Sequence, residues 1–167
     1  MQLERVIGLA KEVALFGAIV VAITIWQSRN LLGSGQMVSP VELPLLGGDG
    51  ERKVPASGRR TLVYFFAPWC GVCKVSANNL TTVYRWLGGD NVDVTAVALD
   101  YQSKEEVQRF AEEYELRVPI VMGNESVRQA FRVDAYPTYY VMNGGGEVDH
   151  TSVGYSSLLG ILFRVLI

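Results

Sequence analysis

The stretch Thr61-Leu62-Val63-Tyr64-Phe65-Phe66-Ala67-Pro68-Trp69-Cys70-Gly71-Val72-Cys73-Lys74 decides the fold. Its first half is an apolar run of β-branched and aromatic residues with the character of a central strand. Ala67-Pro68 breaks the run, and Cys70 falls where a helix should begin. Val72, Val75, Leu80, Val83, Trp86 and Leu87 then recur at loose helical spacing as far as Gly88-Gly89, a C-cap signal. A thiol reacts as its thiolate, and a helix N-terminus favours negative charge. Cys70 and Cys73 are the only cysteines in the chain, so no third sulfur is available for a structural bridge. Two cysteines at this spacing can close a small, reversible disulfide, and the pair reads as redox-active.

Working outward, residues 38–46 with Pro40 and Pro44 form a short extended segment of edge character, 47–50 a glycine-rich turn, and 51–60 a polar connection. Residues 91–100 are the next strand. Ser103 and Glu106 make a capping box for a helix to about Leu116, with Val107, Phe110, Ala111 and Tyr114 on its apolar face. A short strand covers 118–122, and Asn124 caps a helix over 125–131. Residues 138–142 and 147–153 flank the turn Asn143-Gly144-Gly145-Gly146 as a hairpin, and a helix over 156–166 ends the chain. Strands alternating with helices, then an antiparallel pair, give an α/β fold with a mixed central sheet and helices on both faces.

Composition narrows the function. With 15 basic and 17 acidic residues spread along the chain and a net charge of -2, there is no basic stripe to recommend a nucleic-acid partner. One histidine and two cysteines cannot complete a four-ligand zinc site without borrowed carboxylates. Lys74 after Cys73 excludes the C-x-x-C-H haem attachment signal. No metal and no cofactor are called for.

The hydrophobic content of 49% is concentrated at the N-terminus, where every residue of 13–26 is apolar or small except Thr24. Fourteen helical residues reach ~21 Å, and extending back to Val6 reaches ~31 Å, enough for the ~30 Å hydrocarbon core. Lys11 then snorkels to one interface and Trp26 suits the other. No small-x-small cleavage site follows the run. Residues 1–27 are therefore expected as a single uncleaved transmembrane anchor, 28–36 as a tether, and 37–167 as the folded domain. Arg5 and Lys11 precede the apolar core and only Arg29 follows closely, which biases the N-terminus inward and the domain outward. An oxidising compartment suits a cycling disulfide.

Phe66-Ala67-Pro68-Trp69-Cys70-Gly71-Val72-Cys73-Lys74 resembles the thioredoxin active-site segment, and Ala135-Tyr136-Pro137-Thr138 resembles that fold's cis-proline loop. Over residues 37–167 the chain is most similar to the bacterial membrane-anchored TlpA-like and ResA-like thiol-disulfide proteins, and among them to the suppressor-of-copper-sensitivity D type. Supporting stretches are Val97-Ala98-Leu99-Asp100, Leu116-Arg117-Val118-Pro119-Ile120-Val121 and Val153-Gly154-Tyr155-Ser156-Ser157. The resemblance implies a thioredoxin-like fold and a protein-disulfide oxidoreductase, held at the bacterial inner membrane with its domain in the periplasm. Its partners would be protein thiols and disulfides and a membrane-embedded electron donor.

On that reading Cys70 is the nucleophile and Cys73, one turn into the helix and more buried, resolves the mixed disulfide. Trp69 shields the site and offers apolar surface to substrate. The resemblance alone implies that Pro137 is cis and that the backbone of Tyr136 pairs with an extended substrate segment. Four positions depart from the relatives' patterns. Tyr64 stands where thioredoxins carry a buried acid, Ser76 where ResA-like proteins carry a glutamate, and Val72 and Asn78 replace thioredoxin prolines. Lys74 reads as a solvated helix residue and His150 as a surface or edge residue. The alternative is a copper-binding or copper-delivery module on the same fold, but such a site wants a C-x-x-x-C loop and a distant histidine, and here two residues separate the cysteines. A peroxide-reducing relative would carry a threonine ahead of the cysteine, where this chain has Ala67-Pro68-Trp69.

Overall fold

The computed structural model describes residues 11–19, 22–23, 29–89 and 92–167, and divides the chain into two units, Met1–Asn30 and Leu31–Ile167. In the first unit residues 11–19 and 22–23 are helical. The rest of the expected anchor, 1–10, 20–21 and 24–27, lies outside the described residues. Among the described residues no helix is long and apolar enough to cross a membrane.

The second unit is built on a five-stranded sheet. Its strands are β3 (Arg60–Phe66), β4 (Val92–Ala98), β5 (Ile120–Met122), β6 (Thr138–Met142) and β7 (Val148–Val153), in the order β5-β4-β3-β6-β7. β3, β4 and β5 are parallel, while β6 runs antiparallel to β3 and β7 antiparallel to β6. The helices are α1 (Gly71–Leu87), α2 (Lys104–Glu113), α3 (Glu125–Ala130) and α4 (Leu158–Leu166). The mixed sheet and the element order agree with the expectation from sequence.

Strand alternation sorts the core onto two faces. Leu62, Tyr64 and Phe66 of β3 pack on one side with Ala77, Leu80 and Val83 of α1, Val107 and Phe110 of α2, and Ile161 and Val165 of α4. Val63 and Phe65 pack on the other with Val127 of α3 and Phe131 at its C-terminal end, and with Leu43 and Val54. Both faces of β3 are thus covered, which is why it reads as a continuous apolar run rather than an alternating one. Ser103 and Asn124 cap α2 and α3 as anticipated, each side chain accepting the backbone N–H three residues on.

Two expectations are corrected. Residues 51–60 are not merely a polar connection: β2 (Glu51–Val54) pairs antiparallel with β1 (Val41–Pro44) in a separate two-stranded sheet. Glu-Arg-Lys-Val has no apolar alternation, and the strand forms because its backbone is paired, Val54 is fully buried, and Arg52 reaches the buried Asp93 on β4. The tether expected over 28–36 is also shorter. Leu31 and Leu32 are buried in the second face of the core, Gly35 N–H donates to Val148 O, and Val148 N–H donates to Gln36 O.

Candidate active site

The parallel register sets Phe66 beside Ala98, and the antiparallel register sets Phe65 beside Thr138. The segments that leave β3 and β4 and the one that enters β6 therefore meet at one end of the sheet. They carry Cys70, Asp100 and Pro137 respectively. This is where the strand next to β3 changes from a parallel to an antiparallel partner, the kind of switch point at which open α/β sheets place ligands.

Cys70 is the N-cap of α1, in extended backbone conformation, and its Sγ accepts the N–H of Cys73 at 3.1 Å. It is disulfide-bonded to Cys73, with the two Cα atoms 5.3 Å apart. Cys70 is 6% exposed and Cys73 0%, so attack from outside can reach only the first sulfur. Around it the surface is apolar, with Trp69, Val72 and Val75 all exposed.

Trp69 is fastened at its polar tip, its Nε1–H donating to Asp100 O at 3.0 Å. Its ring meets that of Tyr136 edge-on, with centroids 5.8 Å apart. The Tyr136–Pro137 bond is cis, as the resemblance implied, and so is Val54–Pro55. The loop before β6 is pinned by Thr138 Oγ1–H donating to Ala135 O at 2.7 Å and by Gly154 N–H donating to Pro137 O at 2.8 Å. Trp69, Tyr136 and the cysteine-bearing helix start are thus brought together by the fold.

Sequence reasoning noticed Tyr64 and Ser76 only as departures. Tyr64 is fully buried beneath α1, and its hydroxyl donates to Cys73 O at 3.2 Å. Burial, reinforced by the neighbouring Tyr139, pushes its phenol well above the ordinary value, so it stays protonated and serves as a donor. Ser76 is turned inward on the helix and donates to Val72 O at 2.9 Å. Tyr139 tilts against Tyr64 at 5.0 Å between centroids, and burial pushes its phenol up to about 12. Tyr64 and Ser76, the positions where the resemblance implied acids, are thus hydroxyls engaged with the first turns of α1. Lys74, expected as a solvated helix residue, is instead half-buried, with its Nζ 5.1 Å from the centre of the Tyr114 ring, and His150 is half-buried on the edge strand β7.

Asp100 was missed as a site residue. Only its membership in a strand-end stretch was visible, and the signal that could have found it is an acid just past the end of a strand parallel and adjacent to the cysteine-bearing one.

The AhpC/TSA family matches residues 35–151. The chain is 28% identical over 122 residues to thioredoxin-like protein YneN of Bacillus subtilis, covering 72% of this chain and 71% of that protein. It is 28% identical over 102 residues to thiol-disulfide oxidoreductase ResA of Oceanobacillus iheyensis, covering 60% of this chain and about half, 53%, of that protein. The crystal structure of StoA from Bacillus subtilis superposes with a TM-score of 0.68 at 22% identity, over 75% of this chain and 96% of StoA, a likeness of fold. A redox-capable cysteine pair at a helix start, in this fold and among these relatives, is the machinery of thiol-disulfide interchange. The chain belongs to the AhpC/TSA family, on its thioredoxin-like side.

Proposed function

We propose that this protein is an extracytoplasmic thiol-disulfide oxidoreductase, anchored in the bacterial inner membrane by residues 1–27, that reduces or exchanges disulfides in other proteins. The observation that carries the chemistry is the Cys70–Cys73 disulfide at the start of α1, with the outer sulfur also acting as the helix cap. In the reduced form the Cys70 thiolate, favoured by the Cys73 N–H and the helix N-terminus, attacks one sulfur of a substrate disulfide. One substrate thiolate leaves and a mixed disulfide forms. The Cys73 thiolate then attacks Cys70 Sγ and the second substrate thiolate leaves, each departing sulfur taking up a proton. Two electrons have passed from the cysteine pair to the substrate, and the oxidised pair is the form described above. Restoring the dithiol requires two electrons, which a membrane-embedded donor of a disulfide-reducing pathway would supply. Trp69, next to Cys70 in the chain, and the Tyr136–Pro137 segment, whose tyrosine ring meets that of Trp69, receive the substrate polypeptide.

The apolar run of 13–26 and the charge bias of Arg5 and Lys11 support the anchor and its orientation. The test is covalent trapping in cells. Cys73→Ser removes the resolving step, so mixed disulfides through Cys70 should accumulate and vanish on reduction. A membrane-impermeant maleimide should label Cys70 in that variant, after reduction, without breaking the inner membrane. Absence of adducts would remove the nucleophile assignment, and labelling only after lysis would remove the location. Tight Cu(I) binding with no insulin reduction by the wild-type chain would favour the copper module instead.

A further inference from the structure

One residue holds both aromatic side chains beside Cys70. Asp100 stands two positions beyond the end of β4 with φ of 48°, a left-handed conformation that aspartate and asparagine tolerate better than most residues. That twist lets its two ends work separately. Its backbone oxygen accepts the Trp69 Nε1–H at 3.0 Å, and its carboxylate Oδ2 accepts the Tyr136 hydroxyl at 3.0 Å. The two rings then meet edge-on rather than turning freely. Burial, the bond to Asp100 and its charge all raise the Tyr136 phenol above its ordinary value, so the hydroxyl keeps its proton to donate. Asp100 is itself exposed, so this tie stands at the surface of the domain, and it also lines an open cavity with Tyr101, Asn124, Glu125 and Arg128.

We propose that Asp100 is a positioning residue that fixes Trp69 and Tyr136 together and so sets affinity for polypeptide substrates without acting on the sulfurs. The inference rests on the exchange function proposed above. Because the Trp69 bond uses the Asp100 backbone, a side-chain change releases Tyr136 alone.

The test uses the full chain, insulin as the disulfide substrate and dithiothreitol as electron donor. The variants are Asp100→Ala, Asp100→Asn, Tyr136→Phe and the double variant Asp100→Ala/Tyr136→Phe. Asp100→Ala and Tyr136→Phe should each raise KM for insulin about tenfold with kcat within about twofold, a change of about 1.4 kcal/mol. The double variant should be no worse than either single one, because both remove the same bond. Asp100→Asn keeps an acceptor oxygen and should stay within about threefold of wild type. The reduction potential, read by equilibration with glutathione, should match wild type in all four. Tyr136→Phe leaves the left-handed backbone untouched, so it answers the question even if Asp100→Ala folds poorly. An unchanged KM in Tyr136→Phe, an additive double variant, or an Asp100→Asn as impaired as Asp100→Ala would overturn the proposal while the exchange function stands. A wild-type chain unable to reduce insulin would overturn the exchange function and this inference with it.

Discussion

Removing the carboxylate of Asp93 should destabilise the domain by about 3 kcal/mol while leaving its chemistry intact. Asp93 is 3% exposed on β4, accepts hydrogen bonds from Arg52 Nη2 and from Thr95 Oγ1 at 2.9 Å, and has Arg59 Nη2 at 3.7 Å. Arg52 also donates from Nε to Thr95 Oγ1 at 2.8 Å, so three side chains form one closed network. Breaking a buried ion pair from one side costs about 3–5 kcal/mol, because the remaining charge is left without a partner. The Arg52 side chain keeps 30% exposure and can regain water, which puts Asp93→Ala at the low end of that range. For a chain of this size each kcal/mol moves Tm by about 2–4 °C, so a fall of about 6–12 °C is expected. Replacing both partners, Arg52→Met with Asp93→Val, should recover about half of that loss, since no buried charge is stranded and the exposed Arg59 regains water, while the buried Thr95 hydroxyl is left without its partners. Urea denaturation of the two single variants and the double one gives the coupling energy directly. Additive effects, or an Asp93→Ala within 1 kcal/mol of wild type, would refute the reasoning. Insulin reduction well below the transition should be unaffected. Asp93 pairs with Thr61 near the start of β3, and Cys70 lies beyond the other end of that strand.

Tyr64→Phe should lower stability by about 1 kcal/mol, the net value of one hydrogen bond, with no change in the shape of the pH–rate profile. A lost or displaced limb in that profile would mean that the hydroxyl moves protons rather than holding the Cys73 carbonyl. Gly123→Ala should cost about 1–3 kcal/mol by overpacking, since a Cβ there would lie 2.6 Å from Leu99 Cδ2 and 2.9 Å from Ala98 O; a Tm equal to wild type would show that β4 gives way. Burial pushes both Tyr139 and Tyr140 up to about 12 from an ordinary 10. The unfolded chain therefore loses these protons first, and stability should hold to about pH 10 and fall between about pH 10 and 12, by about 1.4 kcal/mol per pH unit for each group. Tyr64 and Tyr136 are raised as well and add to that slope, so Tyr140→Phe should remove only its own share, about 1.4 kcal/mol per pH unit, in urea melts at stepped pH, and an unchanged slope would place the loss elsewhere.

What could be read in the chain was whatever local pattern decides. The apolar run before Cys70 announced a strand covered on both faces, and Ser103 and Asn124 marked helix starts that the structure places within a residue. The cysteine pair, and through family resemblance Trp69, Tyr136 and Pro137, were singled out, and the fold gathers them at one end of the sheet. What escaped is settled by distant partners. β2 is a strand because β1 pairs with it and Asp93 receives its arginine, neither of which lies within its own window. Leu31 and Leu32 looked like tether residues because nothing nearby in sequence covers them; their cover is a core assembled from residues such as Tyr140, whose hydroxyl accepts Leu32 N–H at 3.3 Å. Asp100 joins residues 31 and 36 positions away and carries no motif of its own.

Because Cys70 Sγ is the N-cap of α1, the helix is terminated by the atom that reacts. A thiolate accepts the Cys73 N–H more strongly than a disulfide sulfur does, so reduction improves the capping of α1. By thermodynamic cycle, whatever the better cap adds to the fold is withdrawn from the disulfide, and helix stability and oxidising power rise together. The backbone amide of Cys73 becomes a built-in gauge: its chemical shift and hydrogen-exchange rate should step as the pair cycles, reporting redox state from within the fold.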